Sequence, residues 1–141
     1  MYGLLLSNFS KYIIDKYGEN TWEKIVQAAN LKHFFFDAHQ VYPDYVMSQL
    51  AKSTNKIVWV KETELMEEVG VHFIQFIGQF GYGELLASLG RQFNEFLKTL
   101  NHLHDYFKNS YPKIQSPSFY CDNEDGYGLH LHYRSKRYRI W

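Results

Sequence analysis

Residues 83–111, GELLASLGRQFNEFLKTLNHLHDYFKNSY, carry the apolar repeat of a long amphipathic helix. At about 100° of rotation per residue, one side of this helix collects Leu86, Leu89, Phe93, Leu97, Leu100, His104, Phe107 and Tyr111. His102 falls on nearly the opposite side. We expect His104 to lie on a buried face, where an unpaired imidazole costs about 1–3 kcal/mol. His104 therefore needs a hydrogen-bond partner or a metal, and a ligand role is worth testing.

Four further helices precede this one. Apolar spacing and end signals predict them over residues 2–17, 21–29, 44–54 and 62–80, with Asn20 as the cap of the second. Residues 31–40 are aromatic without a period and read as a loop. Gly78, Gly81 and Gly83 follow a helix rather than a strand, which favours an interhelical bend over a phosphate loop. The long helix runs from Gly83 to Ser110, because Pro112 prevents any continuation.

The pattern changes after this helix to the alternation of two strands. Residues 118–121 and 129–137 read as a hairpin around the turn-rich segment 122–126. A helical bulk followed by a hairpin predicts the α+β class, in a single domain over residues 1–141. Since two strands alone are marginally stable in water, we expect the domain to continue beyond Trp141 into elements that this chain lacks.

Composition excludes several classes of protein. The chain has 141 residues, 45% of them hydrophobic, and its 15 Lys and Arg balance 15 Asp and Glu. This balance gives no reason to expect nucleic acid or an anionic membrane as partner. The lone Cys121 excludes an internal disulfide, and no signal peptide or membrane-spanning run is present, so we expect a soluble cytoplasmic protein. No nucleophile elbow, zinc-binding helix motif or phosphate-binding loop is found, and we expect no catalysis by this chain.

One face of the second strand matches a flat ligand with an anionic edge. Its odd positions are apolar and then polar: Leu129, Leu131, Tyr133, Ser135 and Arg137. Leucines under a ring and polar donors toward carboxylates fit protoporphyrin, although a half-buried core with a solvated end would show the same alternation. A neutral imidazole is a common axial ligand of haem iron, so His104 together with this strand predicts a haem site.

The same strand offers two other candidate sites, one for a metal and one for nucleic acid. His130 and His132 share its other face and could pair on a metal, but no third ligand with suitable spacing is evident, which favours a solvent-facing pair. Residues 134–139 hold four cations and could contact nucleic acid. The fixed parity of the interleaved Tyr and Ser residues favours carboxylate binding instead.

Four passages give the chain a family resemblance. They are Met1-Tyr2-Gly3, the segment 17–23 (YGENTWE), the run Leu103-His104-Asp105 leading to Tyr111-Pro112 and 116–119 (SPSF), and the segment 133–137 (YRSKR). Over essentially its whole length the chain resembles the haem nitric oxide/oxygen-binding (H-NOX) domain, which stands at the N-terminus of soluble guanylate cyclases and occurs in bacterial gas sensors. The segment 133–137 matches the Tyr-x-Ser-x-Arg signature of that family.

The resemblance implies a residue-by-residue assignment. His104 is the proximal ligand of the iron of haem b (iron protoporphyrin IX), and the propionates are bound by Tyr133, Ser135 and Arg137. Pro117 presses against the porphyrin. The distal positions present in the chain are Phe9, Phe73 and Ile77, which offer no hydrogen bond and so favour nitric oxide or carbon monoxide over oxygen.

The resemblance also implies a function. We expect a haem-dependent sensor of a diatomic gas, nitric oxide above all, that regulates cyclic GMP synthesis by a guanylate cyclase as one subunit of a dimer. In the family, a later helix carries a distal tyrosine in some members, and this chain ends before it. The alternative is an interaction or dimerisation module of the same fold that holds little or no haem.

Overall fold

The computed structural model describes residues 1–32, 34–123, 125 and 128–136. Its elements are the helices α1 (Gly3–Tyr17), α2 (Glu19–Ala28), α3 (Tyr45–Val58) and α4 (Glu62–Ile77), a π-helical turn (Gly78–Tyr82), the helices α5 (Gly83–Ser88) and α6 (Phe93–Ser110), and the strands β1 (Ser118–Asp122) and β2 (His130–Arg134). The described residues up to Phe76 form one compact unit, and those from Ile77 onward form a second.

The first unit is built on an aromatic and aliphatic core. Its buried members include Leu6, Phe9, Tyr12, Ile13, Trp22, Ile25, Val26, Phe36, Tyr42, Val46, Met47, Leu50, Leu65 and Val69. In α1 the buried side chains include Leu6, Phe9, Tyr12 and Ile13, whereas Leu5 is exposed. The spacing of three and four allows either Leu5 or Leu6 at this position of the helix, and packing against the core selects Leu6.

The described residues of the aromatic segment 31–40 form a loop, as expected, and this loop covers the core. The ring of Phe36 meets Trp22 at 6.4 Å and Tyr42 at 5.2 Å between centroids. Gly3 lies against this loop, where an added Cβ would stand 1.9 Å from the Asp37 carbonyl oxygen. The glycine of the opening Met-Tyr-Gly passage is therefore required by close backbone approach.

Several helix boundaries differ from the prediction, among them the end of α4, which lies at Ile77 rather than at residue 80. α2 begins at Glu19 after Gly18, whose φ of 86° reverses the chain, and Asn20 lies inside the helix rather than capping it. α3 continues to Val58 and ends at Trp59 in the left-handed region, with φ of 57°. No Gly or Pro marks that end, so the sequence provided no stop signal there.

A polar cluster joins α1 to α4 inside the first unit. Asn8 is buried, donates from Nδ2 to the Val69 carbonyl oxygen at 3.1 Å, and places Oδ1 2.7 Å from His72 Nδ1. On the next turns of the helices, the Tyr12 hydroxyl and the Lys16 ammonium both donate to Glu68 Oε2. The polar groups that the two helices bury against each other are thus hydrogen-bonded, as a stable interior requires.

This cluster shifts three pKa values. Burial, followed by the hydrogen bond to Glu68, raises the pKa of Tyr12 to about 12. The hydrogen bonds from Lys16 and Tyr12 lower the pKa of Glu68, and the hydrogen bond to Glu68 raises the pKa of Lys16. At neutral pH the phenol is neutral and the other two groups are charged.

In the second unit, the predicted helix over residues 83–110 is wrong as a single element. The π-helical turn kinks at Gly81, with φ of 82°, in agreement with the expected bend. α5 then ends at Ser88, and the chain restarts as α6 at Phe93. A Cβ on Gly90 would stand 2.6 Å from the Phe96 backbone nitrogen, so the break depends on this glycine.

α6 begins with its own cap and buries one side. The Glu95 carboxylate accepts hydrogen bonds from the backbone N–H groups of Arg91 and Gln92, at 2.9 and 3.4 Å. The side chains buried along α6 and just after it are Leu97, Leu103, Phe107 and Tyr111. Phe93, which the repeat placed on the buried side, is 75% exposed because it lies at the start of the new helix.

β1 and β2 form an antiparallel hairpin, and the predicted α+β class is confirmed. The register pairs Phe119 with Tyr133 and Cys121 with Leu131 on one face, and Tyr120 with His132 on the other. β2 covers His130–Arg134, a shorter span than the predicted 129–137. The predicted turn over 122–126 lies partly outside the described residues.

Candidate functional site

His104 lies in the middle of α6 and is half-buried. Its Nδ1 atom is buried and has no hydrogen-bond partner among the described residues. Burial lowers the pKa of the imidazole, opposed by the charge of Asp105 and assisted by that of Lys108. The ring is therefore neutral at physiological pH, which is the form in which histidine binds metals.

The face of the hairpin that carries Phe119 and Tyr133 packs next to His104. The Phe119 ring stacks on the imidazole with centroids 5.5 Å apart and an interplanar angle of 23°. The Phe119 ring also meets the Tyr133 ring edge-on, again at 5.5 Å. One phenylalanine thus contacts two of the residues that the sequence placed at a common site.

The structure describes two of the three residues that are predicted to bind the propionates. Tyr133 is on β2 with its side chain 65% exposed. Ser135 lies just past the end of the strand and is half-buried, so strand alternation does not extend to it. Arg137 lies outside the described residues. Of this trio, the structure brings Tyr133 beside the residue that stacks on His104.

Pro117 directly precedes β1 and is half-buried. The residue before it, Ser116, has a buried Oγ atom without a hydrogen-bond partner in the described part of the chain. His104 Nδ1 and Ser116 Oγ are the two buried side-chain polar atoms left in this condition among those residues, and both belong to the second unit. Orphaned buried polar atoms in a native fold call for an explanation such as a bound group or an ordered water.

The residues expected on the distal side belong to α1 and α4. Phe9 is fully buried in the core of the first unit, 6.5 Å from the ring of Trp22. Phe73 is half-buried on α4. Ile77, the last residue of α4, is 1% exposed. All three side chains are apolar, and their assignment to a gas pocket stays a prediction.

Two residues of this region escaped the sequence argument for a site. Phe119 belongs to one of the passages that carry the family resemblance, and Asn101 belongs to none of them. The Asn101 amide donates to the Phe119 carbonyl oxygen at 2.6 Å and accepts from the Phe119 N–H at 2.9 Å. The sequence feature that could have pointed to Asn101 is its position one helical turn before His104, on the same side of the helix.

The opposite face of the hairpin carries the other histidines. Asp122 Oδ2 lies 3.0 Å from His132 Nε2, and Asp122 Oδ1 lies 3.6 Å from His130 Nδ1. The ring of His132 stacks on Tyr120 at 4.1 Å. Although Asp122 lies near both histidines, the described residues contain no group of three His, Cys, Asp or Glu side chains that could hold a metal ion.

The donor set in the second unit fits a haem. It offers a neutral imidazole with an unpartnered nitrogen, an aromatic surface at Phe119, and an exposed phenol at Tyr133. The adjacent Leu131 is 42% exposed, and its apolar side chain shares the face of Tyr133. An iron ligand beside an apolar and then polar surface matches a planar ring with an anionic edge.

Comparison with known proteins gives the family. The family model described as haem-NO-binding (HNOB) matches residues 2–141. The chain therefore belongs to the haem-NO-binding family, and the predicted resemblance to H-NOX domains is confirmed. Within the described residues, no helix has the length and apolar character needed to cross a membrane.

Curated relatives are similar over nearly the whole chain. Soluble guanylate cyclase gcy-31 of Caenorhabditis elegans is 36% identical over 137 residues, which cover 97% of this chain and 20% of the relative. Soluble guanylate cyclase 89Db of Drosophila melanogaster is also 36% identical over 137 residues, with the same coverage. The chain thus spans about a fifth of the length of these relatives.

Solved structures show the same fold. An iron(II) unliganded H-NOX protein mutant from K. algicida has a TM-score of 0.85 at 25% identity, covering 96% of this chain and 74% of that one. An iron(II) H-NOX protein from S. oneidensis has a TM-score of 0.84 at 10% identity, covering 96% and 73%. At the lower identity, the likeness is one of fold alone.

Proposed function

We propose that this chain binds one molecule of haem b through His104 and senses a diatomic gas. The observation that carries the proposal is the imidazole of His104, which burial keeps neutral and whose Nδ1 meets no partner in the described chain. Membership in the haem-NO-binding family supports the same cofactor. When bound, haem supplies an iron that can take a gas molecule as an axial ligand.

The other residues of the site have distinct proposed roles. The Tyr133 hydroxyl, the Ser135 hydroxyl and the Arg137 guanidinium are hydrogen-bond donors suited to propionate carboxylates. Pro117 and Leu131 contribute apolar surface to the porphyrin. All five contacts are assignments from the family pattern and from the face of β2 that carries Leu131 and Tyr133.

Gas preference follows from the character of the proposed distal residues. Phe9, Phe73 and Ile77 carry no hydrogen-bond donor, and bound oxygen gains more from a donor than nitric oxide or carbon monoxide does. We therefore propose nitric oxide as the main ligand, with carbon monoxide bound and oxygen disfavoured. Titrating the ferrous protein with each gas and recording its absorption spectrum measures this order.

We propose that the chain is a regulatory part of a guanylate cyclase subunit that acts in a dimer. The curated relatives named above are soluble guanylate cyclases, and this chain corresponds to about a fifth of their length. α6 is the proposed two-state element, because it carries His104 and any change in how His104 is held acts directly on this helix.

A hemin titration tests the cofactor assignment. We expect saturable one-to-one binding with a sharp Soret band, which His104→Gly abolishes and added imidazole restores. His102→Gly is the matched control, because His102 is exposed on the same helix and should leave the band unchanged. An unchanged band in His104→Gly removes His104 from the site, and weak, nonstoichiometric uptake by the native chain favours the module without haem.

A further inference from the structure

The side chain of Asn101 pairs with the main chain of β1 as a neighbouring strand would. Its amide nitrogen donates to the Phe119 carbonyl oxygen at 2.6 Å, and its amide oxygen accepts from the Phe119 N–H at 2.9 Å. In an antiparallel pair, both groups of one residue point to the same edge of the strand. Asn101 therefore binds the edge of β1 that faces away from β2, which would otherwise expose open hydrogen-bonding groups.

Through these two hydrogen bonds, Asn101 is linked to His104 by way of Phe119. Asn101 precedes His104 by three residues on α6, which places both on the same side of the helix. The residue that Asn101 binds through its main chain is the one whose ring stacks on His104, at 5.5 Å and 23°. Asn101 on α6 therefore binds the main chain of Phe119, and the ring of Phe119 contacts the imidazole of His104 on the same helix.

We propose that Asn101 is a positioning residue that fixes the orientation of the His104 imidazole by holding Phe119. The Nδ1 atom of His104 has no hydrogen bond among the described residues, so no polar contact on that side sets the rotation of the ring. The stack on Phe119 sets it instead. Since the ring of Phe119 can stay in place only if its backbone does, the two hydrogen bonds from Asn101 hold the stack.

The same arrangement extends to Tyr133. Its ring meets that of Phe119 at 5.5 Å, and the register pairs the two residues across the hairpin. Asn101 thus holds a ring that contacts both the proposed iron ligand and the first proposed propionate donor. The relevance of this positioning to haem rests on the proposed function, whereas the positioning itself concerns the chain alone.

The first test uses the haem-free chain and compares Asn101→Ala with Asn109→Ala. Asn109 is exposed on the same helix, so the control makes the same chemical change without touching β1. In Asn101→Ala we expect amide exchange of Phe119 to become about tenfold faster, the loss of about 1.4 kcal/mol of hydrogen bonding. The carbon-bound ring protons of His104 should move in the NMR spectrum toward their unstacked positions, with neither change in Asn109→Ala.

Two further variants keep the test decisive if Asn101→Ala does not fold. Asn101→Asp retains the acceptor for the Phe119 N–H but loses the donor to its carbonyl oxygen, and should give smaller changes of the same kind. Phe119→Leu retains the backbone for Asn101 but removes the ring, and should move the His104 signals with little change in exchange at position 119. If exchange at Phe119 accelerates in Asn101→Ala while the His104 signals stay in place, the proposal is overturned.

A hemin arm separates this proposal from the cofactor assignment. If the native chain binds hemin, Asn101→Ala should also bind it, but with an altered iron–histidine stretching band in the resonance Raman spectrum of the ferrous form. An unaltered band overturns the role of Asn101 toward haem. If the native chain binds no hemin, the proposed function fails, and the NMR comparison still decides whether Asn101 positions His104.

Discussion

In the first unit the buried Asn8 bonds both to the Val69 carbonyl and to His72, whereas in the second unit His104 Nδ1 and Ser116 Oγ are buried without a partner among the described residues. Both units bury polar atoms, and they differ in whether those atoms have hydrogen-bond partners among the described residues. The first unit supplies every partner for Asn8 from its own helices. Within the described part of the chain, the second unit supplies no partner for the imidazole of the proposed haem ligand or for the Ser116 hydroxyl next to Pro117.

The apolar surfaces of the two units differ in a related way. The first unit has a continuous core in which Leu6, Phe9 and Leu50 are fully buried. In the second unit, Leu131 and Tyr133 share one face of a hairpin and remain substantially exposed. A face of this kind, apolar and next to an unpartnered imidazole, is typical of a surface that a bound group covers. Three measurements break or sharpen this comparison.

The largest effect is expected from truncation in the core of the first unit. Leu50 is 0% exposed, so Leu50→Ala should lower the free energy of unfolding by about 2–5 kcal/mol through lost burial and a cavity. Leu131→Ala, the same change on the exposed hairpin face, should cost within about 0.5 kcal/mol in the haem-free chain. Urea denaturation of both variants measures the difference, and equal losses would show that the two surfaces are buried alike.

An intermediate effect is expected when hemin is added. A ligand at a hundred times its dissociation constant stabilises the folded state by about 2.7 kcal/mol. If His104 Nδ1 and Ser116 Oγ belong to a haem site, amide exchange should slow more for residues of the second unit, around His104 and Phe119, than for α2 and α3. His104→Gly provides the control, and uniform slowing over both units would contradict the comparison.

The smallest effect concerns pH and the polar cluster of the first unit. The pKa of Tyr12 is raised to about 12, so its contribution to stability is fully present below the ordinary value of 10.0 and is lost as pH rises through 12. The free energy of unfolding should therefore fall less steeply between pH 10 and 12 in Tyr12→Phe than in the native chain.

Tyr45→Phe is the matched control for this pH series. Tyr45 is exposed on α3, and its substitution should leave the native slope between pH 10 and 12 unchanged. Glu68 has the opposite sign: its lowered pKa contributes stability above the ordinary value of 4.5, which is lost as pH falls. A Tyr12→Phe slope equal to the native slope would show that the cluster does not couple to folding.

Periodicity predicted the helical bulk, the hairpin and the side of α6 that carries His104, because these depend on which residues avoid water. It did not predict the break before α6. The apolar repeat runs through Leu89 and Phe93 as if the helix were continuous, whereas the backbone at the break packs so closely that a Cβ on Gly90 would stand 2.6 Å from the Phe96 nitrogen. Such a contact depends on the path of the backbone, which the repeat does not record.

The candidate site could be predicted from the sequence in part. A histidine on an apolar side of a helix and a face of a strand are local patterns, and both were found in the sequence. The partner of Asn101 lies 18 residues away and is a main-chain group, which no residue type signals. Likewise, the end of β2 at Arg134 places Ser135 beyond the alternation, because strand length is set by cross-strand pairing rather than by side-chain parity.

The interruption between α5 and α6 limits the length of the helix to which His104 belongs. An 18-residue α6 is a rod about 27 Å long, at 1.5 Å per residue. If α6 were continuous with α5, a tilt of α6 would also move the helical turns of α5. Because α6 begins at Phe93, a displacement of His104 would act on α6 without being carried along a continuous helical backbone into α5.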